Sequence, residues 1–116
     1  MWLNEGFATW IEYLSVSKCL PDWHIWAYHA NVHLYRALQL DSLHSTHPIE
    51  VEVKSPEDLN DIFDSISYSK GSCVIRMLND YLGDEAFVRG LRSYFERYKY
   101  RNACTSDLWD EFDLAS

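Results

Sequence analysis

The chain has 116 residues, which is enough for one small domain at most. Its 47% hydrophobic and 24% charged residues are typical of a globular protein and exclude a disordered one. The net charge of −8 disfavours nucleic acid and anionic membrane surfaces as partners, and no apolar run approaches the roughly 20 residues of a membrane-spanning helix.

Apolar residues recur at helical spacing along most of the chain, which predicts a mainly α-helical fold. In chain order we expect helices over residues 4–17, 22–42, 55–63, 67–82 and 85–99, and a last helix that Thr105 caps. Between the second and third helices, Ile49, Val51 and Val53 alternate with charged residues, the period of a short strand or an extended loop. Gly83 is expected to end the fourth helix.

The helical spacing also predicts which residues face the core. The expected apolar faces are Phe7, Trp10, Ile11 and Leu14; then Trp23, Trp26, Ala27, Ala30, Leu34, Ala37 and Leu38; then Ile66, Val74, Met77, Leu78 and Tyr81; and last Phe87, Leu91, Tyr94, Phe95 and Tyr98. Aromatic residues make up 16% of the chain, a density that suggests a piece of a large core or of a ligand-lined cleft.

Two histidines, His29 and His33, lie four residues apart on one helical face, where such a pair can chelate a metal. In the zinc peptidases that use this spacing, a glutamate follows the first histidine and acts as the general base. Ala30 occupies that position here, and the pattern places both histidines on the face away from the apolar stripe. We therefore favour solvated or packed histidines over a metal site.

A carboxylate at Glu5 lies in an apolar segment, where its charge is costly unless it is paired or binds a cation. Glu12 follows two helical turns later, so both carboxylates project from the same face. A metal could lie beside this oxygen-rich edge, but the spacing alone favours a solvated edge.

Tyr68 falls beside the apolar stripe of its predicted helix, so its hydroxyl could reach a cleft while its ring stays packed. Gly71 lies inside the stripe and allows another element to approach closely. The alternative is an ordinary core tyrosine beside a glycine that serves only helix packing.

Cys19, Cys73 and Cys104 are odd in number and widely spaced, which predicts free thiols and no zinc or redox motif. In a secreted protein, one disulfide with a leftover thiol would be the alternative. The N-terminus has no charged region followed by an apolar stretch, so we expect no signal peptide and a cytoplasmic location.

Two separated motifs occur in order, WLNEGFA at residues 2–8 and SYSKG at residues 67–71. With them the chain resembles, essentially end to end, the zinc aminopeptidases related to puromycin-sensitive aminopeptidase and aminopeptidase N. The stretches HPIEV at 47–51 and DIFDSISY at 61–68 belong to the same resemblance. It implies the helical catalytic domain of thermolysin-like zinc peptidases, with residues 1–116 as a partial domain, truncated at both ends, that includes one short extended segment.

The resemblance implies zinc-dependent hydrolysis of N-terminal residues from peptides. Glu5 would be the third protein ligand of a catalytic Zn²⁺, and Tyr68 would donate a hydrogen bond to the oxyanion of the tetrahedral intermediate. Glu12 would support the zinc site without ligating the metal. The family's other two ligands belong to an H-E-x-x-H helix that falls before Met1, so His29 and His33 do not replace them.

Because two ligands and the general base are missing, we expect the isolated chain to be inactive. The alternative function is a non-catalytic helical interaction module from a degenerate relative, although the presence of both Glu5 and Tyr68 argues against decay of the site. An in-frame H-E-x-x-H upstream of Met1 would decide between the two.

Overall fold

A computed structural model describes residues 1–53, 55 and 62–116 of the chain. These residues form a mainly α-helical structure in two compact units, Met1–Arg76 and Met77–Ser116. The α-helices are α1 (Trp2–Cys19), α2 (Ile25–His29), α3 (Tyr35–Asp41), α4 (Gly71–Leu82), α5 (Asp84–Tyr98) and α6 (Thr105–Ala115). A 3₁₀ turn lies at Pro21–Trp23, a first π-helical turn at Ala30–Leu34, and a second, here called the tyrosine turn, at Ile66–Lys70.

The mainly α prediction is confirmed, and most predicted helices agree with the structure to within a few residues. No β-strand occurs in the ranges given above, and residues 47–53 form an irregular segment, the loop alternative for that stretch. The helix expected over residues 55–63 falls mainly on residues 56–61, which lie outside the described residues.

The last helix begins where the sequence predicted, but its cap is different. Cys104 is the N-cap residue, with extended backbone, and Thr105 is the first helical residue. The Asp107 carboxylate accepts a hydrogen bond from the backbone N–H of Cys104 at 2.7 Å. The expectation that Thr105 caps the helix is therefore wrong by one position, because the carboxylate at the third helical position supplies the reciprocal capping contact.

The predicted apolar faces of the first two helical segments are partly wrong. Ile11 is 49% exposed, whereas the buried residues of α1 are Trp2, Gly6, Thr9, Trp10 and Tyr13. Trp23, Leu34 and Leu38 are also exposed. The 3₁₀ turn separates Trp23 from the following helix, and the first π turn adds a residue to one helical turn, which rotates the residues beyond it about the helix axis.

The tyrosine turn changes the face of α4 in the same way. Ile66 is buried as expected, but Met77 and Tyr81 are exposed. The buried positions of the tyrosine turn and α4 are Ile66, Ser67, Ser69, Gly71, Ser72, Cys73 and Ile75. Much of this buried face is small and polar, so it packs closely against α1 and the segment around the first π turn through hydrogen bonds as well as apolar contact.

Two glycines bring α1 against the start of α4. A Cβ atom on Gly6 would lie 2.9 Å from the carbonyl carbon of Gly71, and a Cβ on Gly71 would lie 3.2 Å from the Cα of Gly6. Real Cβ atoms essentially never come as close to backbone as the one on Gly6 would, and a Cβ on Gly71 would force its neighbours to shift by a few tenths of an ångström. Glycine at both positions therefore allows this close approach. The predicted close approach at Gly71 is confirmed, and we call this contact the glycine crossing.

In the second unit, α5 packs on α6 through stacked aromatic rings and a buried charge. Phe87 is completely buried, and its ring lies 5.0 Å from that of Phe112. The Glu111 carboxylate is also buried and accepts hydrogen bonds from Ser93 and, at 2.7 Å, from Arg97. Because a buried carboxylate is costly without partners, these two donors allow α6 to dock.

The glycine crossing predicts the effect of Gly6→Ala on stability. Helix propensity alone would favour alanine by about 1 kcal/mol, but the added methyl group would press against the Gly71 backbone. We expect a net loss of roughly 1–3 kcal/mol in the free energy of unfolding, measured by urea denaturation of the chain. Asn4→Ala, at an exposed position of the same helix, is the control and should cost little. A Gly6→Ala chain at least as stable as the original would contradict the crossing.

Candidate active site

Glu5 and Tyr68 lie side by side in the first unit. Glu5 projects from the first turn of α1, Tyr68 lies in the middle of the tyrosine turn, and both side chains are half-buried. The Glu5 carboxylate lies close enough to the phenol of Tyr68 to raise its pKa. Since Gly6 follows Glu5 directly and Gly71 follows the tyrosine turn, the glycine crossing brings the two side chains together.

The surroundings keep the Tyr68 hydroxyl protonated. Burial raises the pKa of Tyr68, and the hydrogen bond and negative charge of Glu5 raise it further. A phenol with such a pKa is a hydrogen-bond donor over the whole neutral range. The pair therefore combines a carboxylate, which could ligate a cation, with a neutral hydrogen-bond donor close to it.

Glu12 is exposed on α1, and its charge acts on a neighbouring cluster. Burial is the main cause that raises the pKa of Tyr13, and the charge of Glu12 raises it further. The same charge opposes the lowering of the pKa of His33. These effects place the Glu12 carboxylate near Tyr13 and His33. Its supporting role at a zinc site stays a prediction.

His29 and His33 are packed between helices. His29 is only 1% exposed, and its Nε2 lies 3.0 Å from the hydroxyl of Ser72. The Nδ1 and Nε2 of His33 lie 3.0 Å from the Ser69 hydroxyl and 3.1 Å from the Tyr13 hydroxyl. The expectation that these histidines face away from the core is wrong, because the structure turns them toward α1 and the tyrosine turn.

Both imidazoles are held in the neutral form. Burial lowers the pKa of His29 to about 4, with help from His33 and Arg76, and burial together with Arg36 lowers the pKa of His33. A neutral imidazole offers one donor and one acceptor, and hydroxyl partners can satisfy either nitrogen. The interpretation of packed histidines agrees with this geometry. Within the described part of the chain, no group of three or more His, Cys, Asp or Glu residues could hold a metal ion.

Sequence reasoning missed a second polar cluster beside Tyr68, built on His47 and Asp64. One carboxylate oxygen of Asp64 accepts the backbone N–H groups of Ile66 at 2.9 Å and Ser67 at 3.1 Å. The other oxygen lies 2.9 Å from the Nε2 of His47. The sequence offered one signal, an aspartate just before a predicted helix, which is where N-capping residues occur.

A family model described as "Peptidase family M1 domain" matches residues 1–116. The chain belongs to peptidase family M1. The family prediction is thus confirmed over the whole chain, and with it the mainly α fold as part of a domain of that family.

Individual relatives agree with this assignment. The chain is 51% identical over all 116 residues to alanine/arginine aminopeptidase of Saccharomyces cerevisiae and covers 14% of that protein. It is 53% identical over 109 residues to aminopeptidase M1-D of Oryza sativa, with 94% of this chain and 12% of the relative covered. It is 47% identical over 116 residues, its full length, to aminopeptidase M1 of Arabidopsis thaliana and covers 13% of it. The M1 chain thus spans about an eighth of the length of these relatives.

The cysteines and the apolar character of the helices bear on two further expectations. Cys19, Cys73 and Cys104 are free thiols, as predicted, and only Cys73 is buried. None of the helices that the structure describes combines the length and the apolar character needed to cross a membrane.

The neutral histidines predict a loss of stability at acid pH. Between about 4 and 6.5 the unfolded chain binds a proton that folded His29 does not, so the stability present above pH 6.5 falls as the pH falls toward 4. In His29→Gln this component disappears, and the midpoint of thermal unfolding should depend less steeply on pH. His44→Gln, at an exposed position, should keep the original slope. Parallel curves for His29→Gln and the original chain would contradict a buried, neutral His29.

Proposed function

We propose that this M1 chain forms part of the catalytic domain of a zinc-dependent aminopeptidase, which hydrolyses N-terminal residues from peptides. The observation that carries the proposal is the contact between Glu5 and Tyr68. A carboxylate and a protonated phenol serve different steps of amide hydrolysis, and their adjacency suits one reaction centre. The names of the relatives, which are aminopeptidases, support the same reaction.

The Glu5 carboxylate suits a zinc ligand. It is half-buried, lies beside a neutral donor, and belongs to a residue type that ligates catalytic zinc. A catalytic zinc site usually takes three protein ligands, and no group of three lies within the described residues, so at least one further ligand must come from outside them. Both ring nitrogens of His33 and one of His29 are already engaged by hydroxyls, which argues against their use. Zinc, when bound, supplies a Lewis acid that polarises the scissile carbonyl and activates water.

Tyr68 would stabilise the oxyanion that develops on the scissile carbonyl. Its raised pKa keeps the proton on the phenol, so the hydroxyl can donate to a negative oxygen without transferring the proton. Without substrate the same hydroxyl faces Glu5. We propose that substrate binding turns the donor from the carboxylate to the substrate oxygen, a small rotation about a side chain whose backbone is fixed by the tyrosine turn.

The alternative, a non-catalytic interaction module, would give no reason to keep these two groups in contact. Under the main proposal, residues 1–116 act only as part of a larger catalytic domain, with peptides as substrates. The cytoplasmic location stays a prediction from the sequence.

The proposal predicts no peptidase activity and weak zinc affinity for the 116-residue chain alone, because one carboxylate cannot replace three protein ligands. Hydrolysis of an aminoacyl arylamide with added zinc measures the activity, and competition with a chromogenic chelator measures zinc binding. Turnover that co-purifies with the chain and survives the loss of His29 and His33 would refute the proposal.

In the full-length enzyme, Tyr68→Phe removes one hydroxyl and leaves the ring in place. We expect kcat to fall by about 10²-fold or more, as for the loss of an oxyanion donor, with little change in KM. Tyr81→Phe, at a position that is 86% exposed, is the matched control and should leave both constants unchanged. Near-normal turnover of Tyr68→Phe would reduce Tyr68 to a packing residue.

Glu5→Gln should lower the activity of the full-length enzyme for a different reason. It keeps the shape of the side chain but removes the charge that binds zinc, so the zinc content of the purified full-length enzyme should fall along with its activity. Excess zinc should restore part of the activity of Glu5→Gln and none of the activity of Tyr68→Phe. Full zinc content in Glu5→Gln, measured by atomic absorption, would contradict its role as a ligand.

A further inference from the structure

We propose, on the basis of the function proposed above, that His47 and Asp64 form a positioning pair that aims the hydroxyl of Tyr68. Neither side chain need touch substrate or metal. They would act by fixing the backbone of the tyrosine turn, on which the direction of the phenol depends.

Asp64 organises the backbone at the start of the tyrosine turn. Its carboxylate accepts the N–H groups of Ile66 and Ser67, and its backbone carbonyl accepts the N–H of Tyr68 at 3.1 Å. One residue thus holds three successive backbone donors that end at the tyrosine. The position of Tyr68 therefore follows the position of Asp64.

His47 in turn fixes Asp64 from outside the turn. Its Nε2 lies 2.9 Å from the free carboxylate oxygen of Asp64, and its Nδ1 lies 2.7 Å from the carbonyl oxygen of Pro48. Both ring nitrogens face acceptors, and only the imidazolium has two N–H donors. The Pro48 carbonyl, together with Asp64, accordingly raises the pKa of His47. When His47 is protonated, the contact is a charge-assisted hydrogen bond, stronger and more directional than a neutral one.

A second ion pair holds the other end of the tyrosine turn. Lys70 donates to the Asp41 carboxylate at 2.7 Å, and the hydroxyl of Thr46 donates to the same carboxylate at 3.0 Å. One short stretch of chain contains Asp41, Thr46 and His47. This stretch therefore contacts the tyrosine turn on both sides of Tyr68. With the C-terminal end held in this way, loss of the His47 contact would release the N-terminal half of the turn, whose backbone hydrogen bonds to Asp64 run up to Tyr68.

A double-mutant cycle in the full-length enzyme tests the proposal. His47→Gln keeps a side-chain donor but removes the positive charge and the second donor. We expect kcat to fall roughly 10-fold or more with KM nearly unchanged, since a displacement of about 1 Å can cost on the order of 10²-fold in rate. In a Tyr68→Phe background the same substitution should cost almost nothing, because no hydroxyl remains to be aimed.

The outcomes separate this proposal from the proposed function. If Tyr68→Phe alone leaves kcat unchanged, the proposed function of Tyr68 fails, and the positioning role fails with it. If Tyr68→Phe lowers kcat but His47→Gln lowers it equally in both backgrounds, the proposed function stands and the positioning pair is refuted. His44→Gln, from the same exposed stretch, controls for general effects of losing a histidine.

A second variant covers the case in which His47→Gln does not fold. Asp64→Asn keeps an oxygen that can accept the backbone N–H groups of Ile66 and Ser67 but removes the charge that His47 binds. Asp64→Asn should lower kcat when the Tyr68 hydroxyl is present and have almost no effect on kcat in the Tyr68→Phe background. Equal losses of kcat for Asp64→Asn with and without that hydroxyl would overturn the proposal.

Discussion

The backbone contact between Gly6 and Gly71 determines the geometry of the first unit. Any side chain at Gly6 would meet the Gly71 backbone within 2.9 Å, so only glycine allows α1 and α4 to cross at this distance. The crossing lies one residue from Glu5 and three from Tyr68. A wider crossing would separate the carboxylate from the phenol, and the pair could no longer serve the reaction centre that we propose.

Polar groups complete the packing around this crossing. Ser67, Ser69 and Ser72 are buried, and the histidines of the neighbouring segment meet two of them through hydrogen bonds. Such contacts are directional, so they specify one register between helices where apolar contact would tolerate several. Neutral imidazoles suit this role, since a charged group in the same place would carry a large desolvation cost. The tyrosine turn is thus held from three sides, by α1, by the first π turn and by the stretch from Asp41 to His47.

The helical spacing of apolar residues predicted where the helices lie, because amphipathic spacing over ten or more residues is a strong local signal. It failed at Ile11 in the first predicted helix and at Phe95 in the fifth, both of which are exposed, and more widely for the faces of the second and fourth predicted helices. Each contains a π turn, and one inserted residue rotates everything beyond it, as the exposure of Leu38 and Tyr81 shows. The sequence carries no local mark of either π turn.

Some features of the candidate site could likewise be predicted from the sequence, and others could not. The close approach at Gly71 was predictable, since a glycine inside an apolar stripe has few other uses. The roles of Glu5 and Tyr68 came from resemblance to a family, because no spacing rule connects residues so far apart in the chain. The link between His47 and Asp64 could not be predicted, since it depends on how an irregular segment folds back on the tyrosine turn.

Crystallography of the full-length protein, with anomalous diffraction recorded at the zinc edge, would test the central claim most directly. The account predicts a single strong zinc peak bonded to the Glu5 carboxylate, with the Tyr68 hydroxyl facing the same space across the glycine crossing. A zinc peak away from Glu5, or a Tyr68 hydroxyl directed away from the metal, would contradict it.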